Sequence, residues 1–146
     1  MIYRRIETVS DTDIPYLTEI LNLPEISHFI SINENNYWNY VTETENVFYF
    51  KVFNNDILVA ATHCEISNKT LYMDIMVIPK YQRNGIATRI LQDIKSGKLN
   101  IDYKKIEVSI DENNIASISL FEKEGFVCVS KEAELRKYVY INIPDK

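Results

Sequence analysis

With 146 residues, 46% of them apolar and 25% charged, the chain has the make-up of a one-domain globule that buries a substantial core, not of a disordered segment or coiled coil. Three glycines and four prolines leave little flexible linker, and no repeat or low-complexity tract occurs. A formal charge of −5 argues against nucleic-acid binding, yet it leaves room for a local cationic pocket around Lys80, Arg83, Arg89 or Lys123.

The opening run Met1-Ile2-Tyr3-Arg4-Arg5-Ile6-Glu7 reads as a strand and lacks the apolar core of a secretory signal. Other apolar runs are too short for a membrane helix, so no membrane partner is expected. Cys64 and Cys128 carry no metal or redox spacing, which fits free thiols in a reducing cytoplasm and no metal site. Asp11-Thr12-Asp13 offers cap chemistry for a helix whose face carries Ile14, Leu17, Ile20 and Leu21. Pro24 interrupts it, and short helical segments are expected over Glu25–Ile30 and Asn35–Val41.

Val47 to Phe53 is rich in aromatic and β-branched residues and predicts a strand. Asn54-Asn55-Asp56 turns the chain into a second strand, Ile57 to Ile66. Ser67-Asn68-Lys69 turns it again into a third, Thr70 to Ile78. Two adjacent turns make an antiparallel meander the economical arrangement. After Pro79, the spacing of Ile86, Ile90, Leu91 and Ile94 predicts a helix ending near Gly97. Lys105 to Ile110 is a strand, and Asp111 to Asn114 caps a helix carrying Ile115, Ile118, Leu120 and Phe121. Gly125 releases the chain into two last strands, Phe126–Val129 and Leu135–Ile143. The order of elements implies a mixed α/β sheet with helices on both faces.

The junction Val77-Ile78-Pro79-Lys80-Tyr81-Gln82-Arg83-Asn84-Gly85-Ile86-Ala87-Thr88 runs from a strand through a polar turn into an amphipathic helix. The first amides of a helix lack partners and can donate to phosphate oxygens. Arg83 can add a charge-assisted contact and small Ala87 lets a ligand approach the backbone. On this local pattern alone, anion binding and a purely structural turn both remain open. The run is neither Gly-x-Gly-x-x-Gly nor a Walker loop.

Gln82-Arg83-Asn84-Gly85-Ile86-Ala87 resembles the Gln/Arg-x-x-Gly-x-Gly/Ala motif of the GCN5-related N-acetyltransferase (GNAT) superfamily. Met73 to Pro79 is similar to that family's central strand and its exit, and Asn114 to Phe126 resembles its later Asn-to-Gly-Phe motif. The resemblance implies a single-domain acetyltransferase fold over residues 1–146: a twisted, mixed, mostly antiparallel sheet flanked by helices. It also implies acetyl-CoA as cosubstrate, no metal, and an amine acceptor, small molecule or peptide. In that reading Gln82 opens the loop and amides from Arg83 through Asn84, Gly85, Ile86 and Ala87 to Thr88 cradle the pyrophosphate. Backbone groups of Ile75, Met76 and Val77 pair with the pantetheine arm, and Asn114 borders the coenzyme.

For the chemistry, Asp74 is the carboxylate best placed to accept the amine proton, with substrate-cation binding and a structural hydrogen bond as alternatives. As a base it needs a raised pKa or a water relay. If Asn68-Lys69 is a two-residue loop, the register sets His63 opposite Asp74, where it can help gather the proton. The Val77 amide is the candidate to polarise the thioester carbonyl. Phe121 departs from the family, whose members often carry there a Tyr that protonates the thiolate. Water, Tyr138, Tyr140 or unassisted departure are left for that step. A catalytically weak acyl-CoA-binding or regulatory domain is the alternative this substitution keeps alive. By similarity to the family's variable early helices, the segment from Glu25 to Val41 is the expected acceptor wall, where Glu25, Glu34, Tyr37, Trp38 and Tyr40 can receive a cationic amine, or else Trp38 and its neighbours secure a helix against the sheet.

Overall fold

In the computed structural model, which describes residues 1–30 and 36–142, the β-branched and aromatic runs become strands and the helical-period runs become helices. The order is β1 (Ile2–Arg5), α1 (Ile14–Leu21), α2 (Pro24–Ser27), α3 (Tyr37–Glu43), β2 (Val47–Asn54), β3 (Ile57–Ser67) and β4 (Thr70–Val77). Then follow α4 (Ile86–Lys95), β5 (Lys105–Asp111), α5 (Ile115–Lys123), β6 (Val127–Glu132) and β7 (Leu135–Ile141). The seven strands form one mixed α/β sheet in the order β1-β2-β3-β4-β5-β7-β6, flanked by the five helices. β4 and β5 pair in parallel, and β1–β2, β2–β3, β5–β7 and β6–β7 are antiparallel. The sheet is therefore mostly antiparallel, as the turn pattern implies.

The hairpin turns explain that pattern. Asn55 and Asp56 take φ of 50° and 65°, and Asn68 and Lys69 take 49° and 63°. Two consecutive left-handed residues match the right-handed twist of the flanking strands. The predicted segments Asn35–Val41 and Leu135–Ile143 begin and end, respectively, on residues outside those described. What is described of them is helix α3 and strand β7.

The described residues fall into two compact units. One comprises residues 1–65 and 74–86. Its core gathers Ile6, Leu17, Leu21, Val41, Tyr49, Met76 and Ile78, with Trp38, Tyr37 and Tyr81 packed against it. The helix-cap expectation holds for Asp11, whose Oδ1 accepts from Asp13 N at 2.9 Å at the entry to α1, and needs correction for Asp13. Asp13 occupies the cap position of α1 without a side-chain cap bond. Both carboxylates also reach Lys51 Nζ, at 2.9 and 2.8 Å. The Lys51 side chain is only 11% exposed, and leaving a buried ammonium unpaired costs several kcal/mol (roughly 3–5) against about 1 for a lost cap. The larger demand wins.

The other unit comprises residues 66–73 and 87–142. Here Ile90, Leu91 and Ile94 of α4, Ile106, Val108 and Ile110 of β5, and Ile118 and Phe121 of α5 are buried. The parallel register runs from Thr70 opposite Lys105 to Tyr72 opposite Glu107. Lys95 Nζ donates to the Glu124 carbonyl at 2.8 Å, which satisfies an end carbonyl of α5.

Candidate active site

The turn between β4 and α4 is held by its own side chains. Pro79–Tyr81 makes one 3₁₀ turn, after which Gln82 Nε2 donates back to the Val77 carbonyl at 3.1 Å. Asn84 Nδ2 donates to the carbonyls of Tyr81 and Gln82, at 3.2 and 3.3 Å. Arg83 and Gly85 take φ of 66° and 74°, both left-handed. A Cβ at Gly85 would meet nothing within 4 Å, so conformation requires the glycine and open space lies beside it. Arg83 is exposed, and Ile86 begins a ten-residue helix whose early amides point back at that space. Arg89 is paired with Asp93, Nε to Oδ1 at 3.6 Å, and Lys80 lies over the Tyr81 ring, which leaves Arg83 as the turn's own cation.

The strand before the turn has an equally definite geometry. Ile78 N donates to the Val59 carbonyl at 2.9 Å, which sets the β3–β4 register at that end. Antiparallel pairs alternate, so the main-chain groups of Ile75 and Val77 point away from β3. Met76 lies between them, with its side chain 1% exposed in the core. Counting back along both strands brings His63 level with Asp74. Thr62 Oγ1 donates to the Asp74 carbonyl at 2.6 Å beside them.

Burial pushes the Asp74 carboxyl above the ordinary aspartate range. The His63 side chain and main chain pull it down and Glu65 pushes it up, and burial prevails. His63 is itself engaged at both ring nitrogens. Nδ1 lies 2.7 Å from the Tyr37 hydroxyl and Nε2 lies 2.7 Å from Glu65 Oε1. Tyr40 donates to the same Glu65 oxygen at 2.7 Å. Tyr37 and Tyr49 are raised chiefly by burial, with the Asp74 charge contributing to both. Ionisable side chains from α3, β2, β3 and β4 thus surround His63.

Comparison with known proteins places this geometry in a family. Residues 14–142 match the acetyltransferase (GNAT) domain. The chain belongs to the GNAT acetyltransferase family. Among solved structures, a domain from Methanocaldococcus jannaschii is 24% identical with a TM-score of 0.78, covering 96% of this chain and 97% of that one. A putative phosphinothricin N-acetyltransferase is 19% identical with a TM-score of 0.78, over 98% and 99% of the two chains. The spermidine/spermine N-acetyltransferase SpeG from Vibrio cholerae, solved in mutant forms, is 15% identical with a TM-score of 0.79, over 97% and 93%. At these identities the structural likeness concerns the fold. A search of curated proteins returned no match.

The remaining predicted residues of this GNAT chain are placed as follows. Asn114 caps α5, its Oδ1 accepting from Ser117 N at 3.3 Å. Phe121 is buried and packs edge-on against Phe126 at 5.0 Å, so an aromatic ring without a hydroxyl fills the position. Tyr138 is fully buried and its hydroxyl donates to Glu122 Oε2 at 3.4 Å, while Tyr140 packs on Phe126 and under Lys95. Of the acceptor wall, Trp38 secures a helix: Nε1 donates to Thr18 Oγ1 at 2.9 Å and the ring meets Tyr49 at 4.9 Å. Tyr37 and Tyr40 are drawn to His63 and Glu65, Glu25 is exposed, and Glu34 lies outside the described residues.

Sequence reasoning missed Glu65. Its signal was present, because His63 and Glu65 are two apart on β3 and share a face. Among the described residues no group of three or more His, Cys, Asp or Glu could hold a metal ion. No helix among them is long and apolar enough to cross a membrane.

Proposed function

We propose that this GNAT protein transfers the acetyl group of acetyl-CoA to an amine, which attacks the thioester directly. The observation that carries the reading is the open, left-handed turn at Gly85, entered from the strand that bears Asp74 level with His63. The open space at Gly85 and the exposed Arg83 fit a diphosphate. In this account the amides from Arg83 to Thr88 hold that diphosphate, and the outward groups of Ile75 and Val77 pair with the pantetheine amides. Asn114 borders the coenzyme from the start of α5.

The coenzyme supplies an acetyl group already activated as a thioester. The chain's own work is to orient the acceptor, keep it neutral and accept its proton. Asp74 is the proton acceptor, because a carboxyl lifted by burial is a stronger base than an ordinary aspartate. The Val77 N–H polarises the carbonyl oxygen. The acceptor class is an amine that is cationic in solution, in keeping with the carboxylates and tyrosines around His63.

The test is acetyl-CoA turnover against a diverse amine panel with mass analysis of the products. A mass gain of one acetyl group on an amine is expected. Coenzyme binding without turnover across the panel would favour instead an acyl-CoA-binding domain, the reading that buried Phe121 keeps open.

A further inference from the structure

Acetyl transfer to an ammonium acceptor has a proton problem that Phe121 sharpens. One proton leaves the nitrogen before attack, a second leaves it once the C–N bond has formed, and one is needed at the sulfur that departs. A side chain that stores the first and returns it solves both halves without a tyrosine at position 121.

His63 has the surroundings of such a store. Its ring lies 5.6 Å from Tyr37, 6.3 Å from Tyr40 and 6.3 Å from Tyr49, centroid to centroid, so it is confined in one orientation. The Glu65 carboxylate, 2.7 Å from Nε2, fixes the Nε2–H tautomer and leaves Nδ1 as acceptor for the Tyr37 hydroxyl at 2.7 Å. Burial holds Tyr37 in its protonated form, so it gives up a proton only as it gains one. The His63 side chain is 14% exposed and that of Glu65 is 34% exposed, and Tyr40 pins the Glu65 oxygen from the far side. An imidazolium formed here would be paired at once with a fixed carboxylate. The groups facing the ring are Tyr37 and Tyr40 from α3, Tyr49 from β2, Asp74 from β4 and Glu65 from β3 itself.

We propose that Tyr37, His63 and Glu65 form a proton store, in which His63 takes up at Nδ1 the proton that the amine releases and later returns it by the same path. The inference rests on the acetyltransferase reading above. On the outward step the amine N–H bond breaks as an O–H bond forms at Asp74. That proton passes through water to the Tyr37 oxygen while the Tyr37 proton moves to Nδ1. The net change is one proton from the ammonium to the imidazole, with no electrons transferred. On the return step Nδ1 gives its proton back to Tyr37, and the same water and Asp74 hand one to the departing sulfur, while the second nitrogen proton, freed once the C–N bond has formed, leaves to solvent water. The tautomer is then restored without a ring flip. Glu65 acts through His63 and is a positioning residue.

The first measurement needs no turnover. Imidazole ¹⁵N spectra of the free protein should show His63 as the Nε2–H tautomer, with exposed His28 as the internal control. Glu65→Ala should release that preference while coenzyme affinity stays at the wild-type value. The second is kinetic. Tyr37→Phe and Glu65→Gln, each checked for folding by thermal melting and coenzyme affinity, should lower kcat about tenfold or more with little change in coenzyme KM. The double variant should fall no further than the worse single one. The wild-type solvent deuterium effect, arising from several protons in flight, should shrink in both.

An Nδ1–H tautomer in the free wild type would overturn the proposal. So would wild-type kcat and isotope effects in both folded variants, although the acetyltransferase reading would then stand. A wild type that binds no coenzyme and acetylates no amine would take down both.

Discussion

Two parts of this molecule are built in opposite ways. The Gln82–Ile86 turn is exposed, uses main-chain groups, and keeps its shape through two left-handed residues and two amide side chains. The cluster around His63 is partly buried, uses side chains, and draws them from four separate elements. The lesson is that one region can govern holding and the other reacting. Substitutions should therefore separate coenzyme affinity from turnover.

The largest expected effect lies in the His63 cluster. Asp74→Asn keeps the shape and removes the proposed base, so kcat should fall on the order of 10²–10⁴-fold while coenzyme affinity holds. Steady-state kinetics beside calorimetry would check it, and an equal loss in both would erase the division. The wild-type acid limb of kcat should lie above the range in which an ordinary aspartate titrates, because burial raises Asp74. The same shift has a sign for stability. A raised carboxyl favours the folded state below its unfolded pKa, and that help is lost as pH rises through the folded value. Asp74→Asn should therefore become more stable relative to wild type as pH climbs through that range, as thermal melts at several pH values would register.

Gly85→Asp probes the turn. Two unit charges about 5 Å apart at an effective dielectric of about 20 repel by about 3 kcal/mol, on the order of 100-fold in affinity for a diphosphate. A Cβ at Gly85 meets no neighbour but is strained at φ of 74°, so both variants should fold with a stability loss of about 1–2 kcal/mol, and Gly85→Ala should lose far less affinity than Gly85→Asp. Arg83→Ala comes next, with about a five- to tenfold loss that shrinks at high salt, because its charge is exposed. Smallest in function is Asn114→Ala, which removes a helix cap and should cost about 1 kcal/mol in a denaturant melt.

The two regions also differ in how far the sequence discloses them. The turn is local: Pro79, Gln82, Gly85 and the period of Ile86, Ile90, Leu91 and Ile94 lie within sixteen residues of chain, so short-range rules reach it. Hairpin counting likewise brings His63 level with Asp74, because two-residue loops fix register. The closeness of Glu65 to His63 was legible from their spacing on β3, but its pinning was not, since that needs Tyr40 from α3, 25 residues away. Tyr37 was legible as an aromatic of the acceptor wall, yet not as the hydroxyl on His63 Nδ1. The pairing of Asp11 and Asp13 with Lys51 was not legible for the same reason, because only the fold brings that lysine to them.

The most direct test of the central claim is calorimetric titration of the folded protein with coenzyme A, run beside Gly85→Asp and Asp74→Asn. Saturable binding that Gly85→Asp abolishes and Asp74→Asn preserves is the predicted result. No saturable binding by the wild type, or undiminished binding by folded Gly85→Asp, would contradict it.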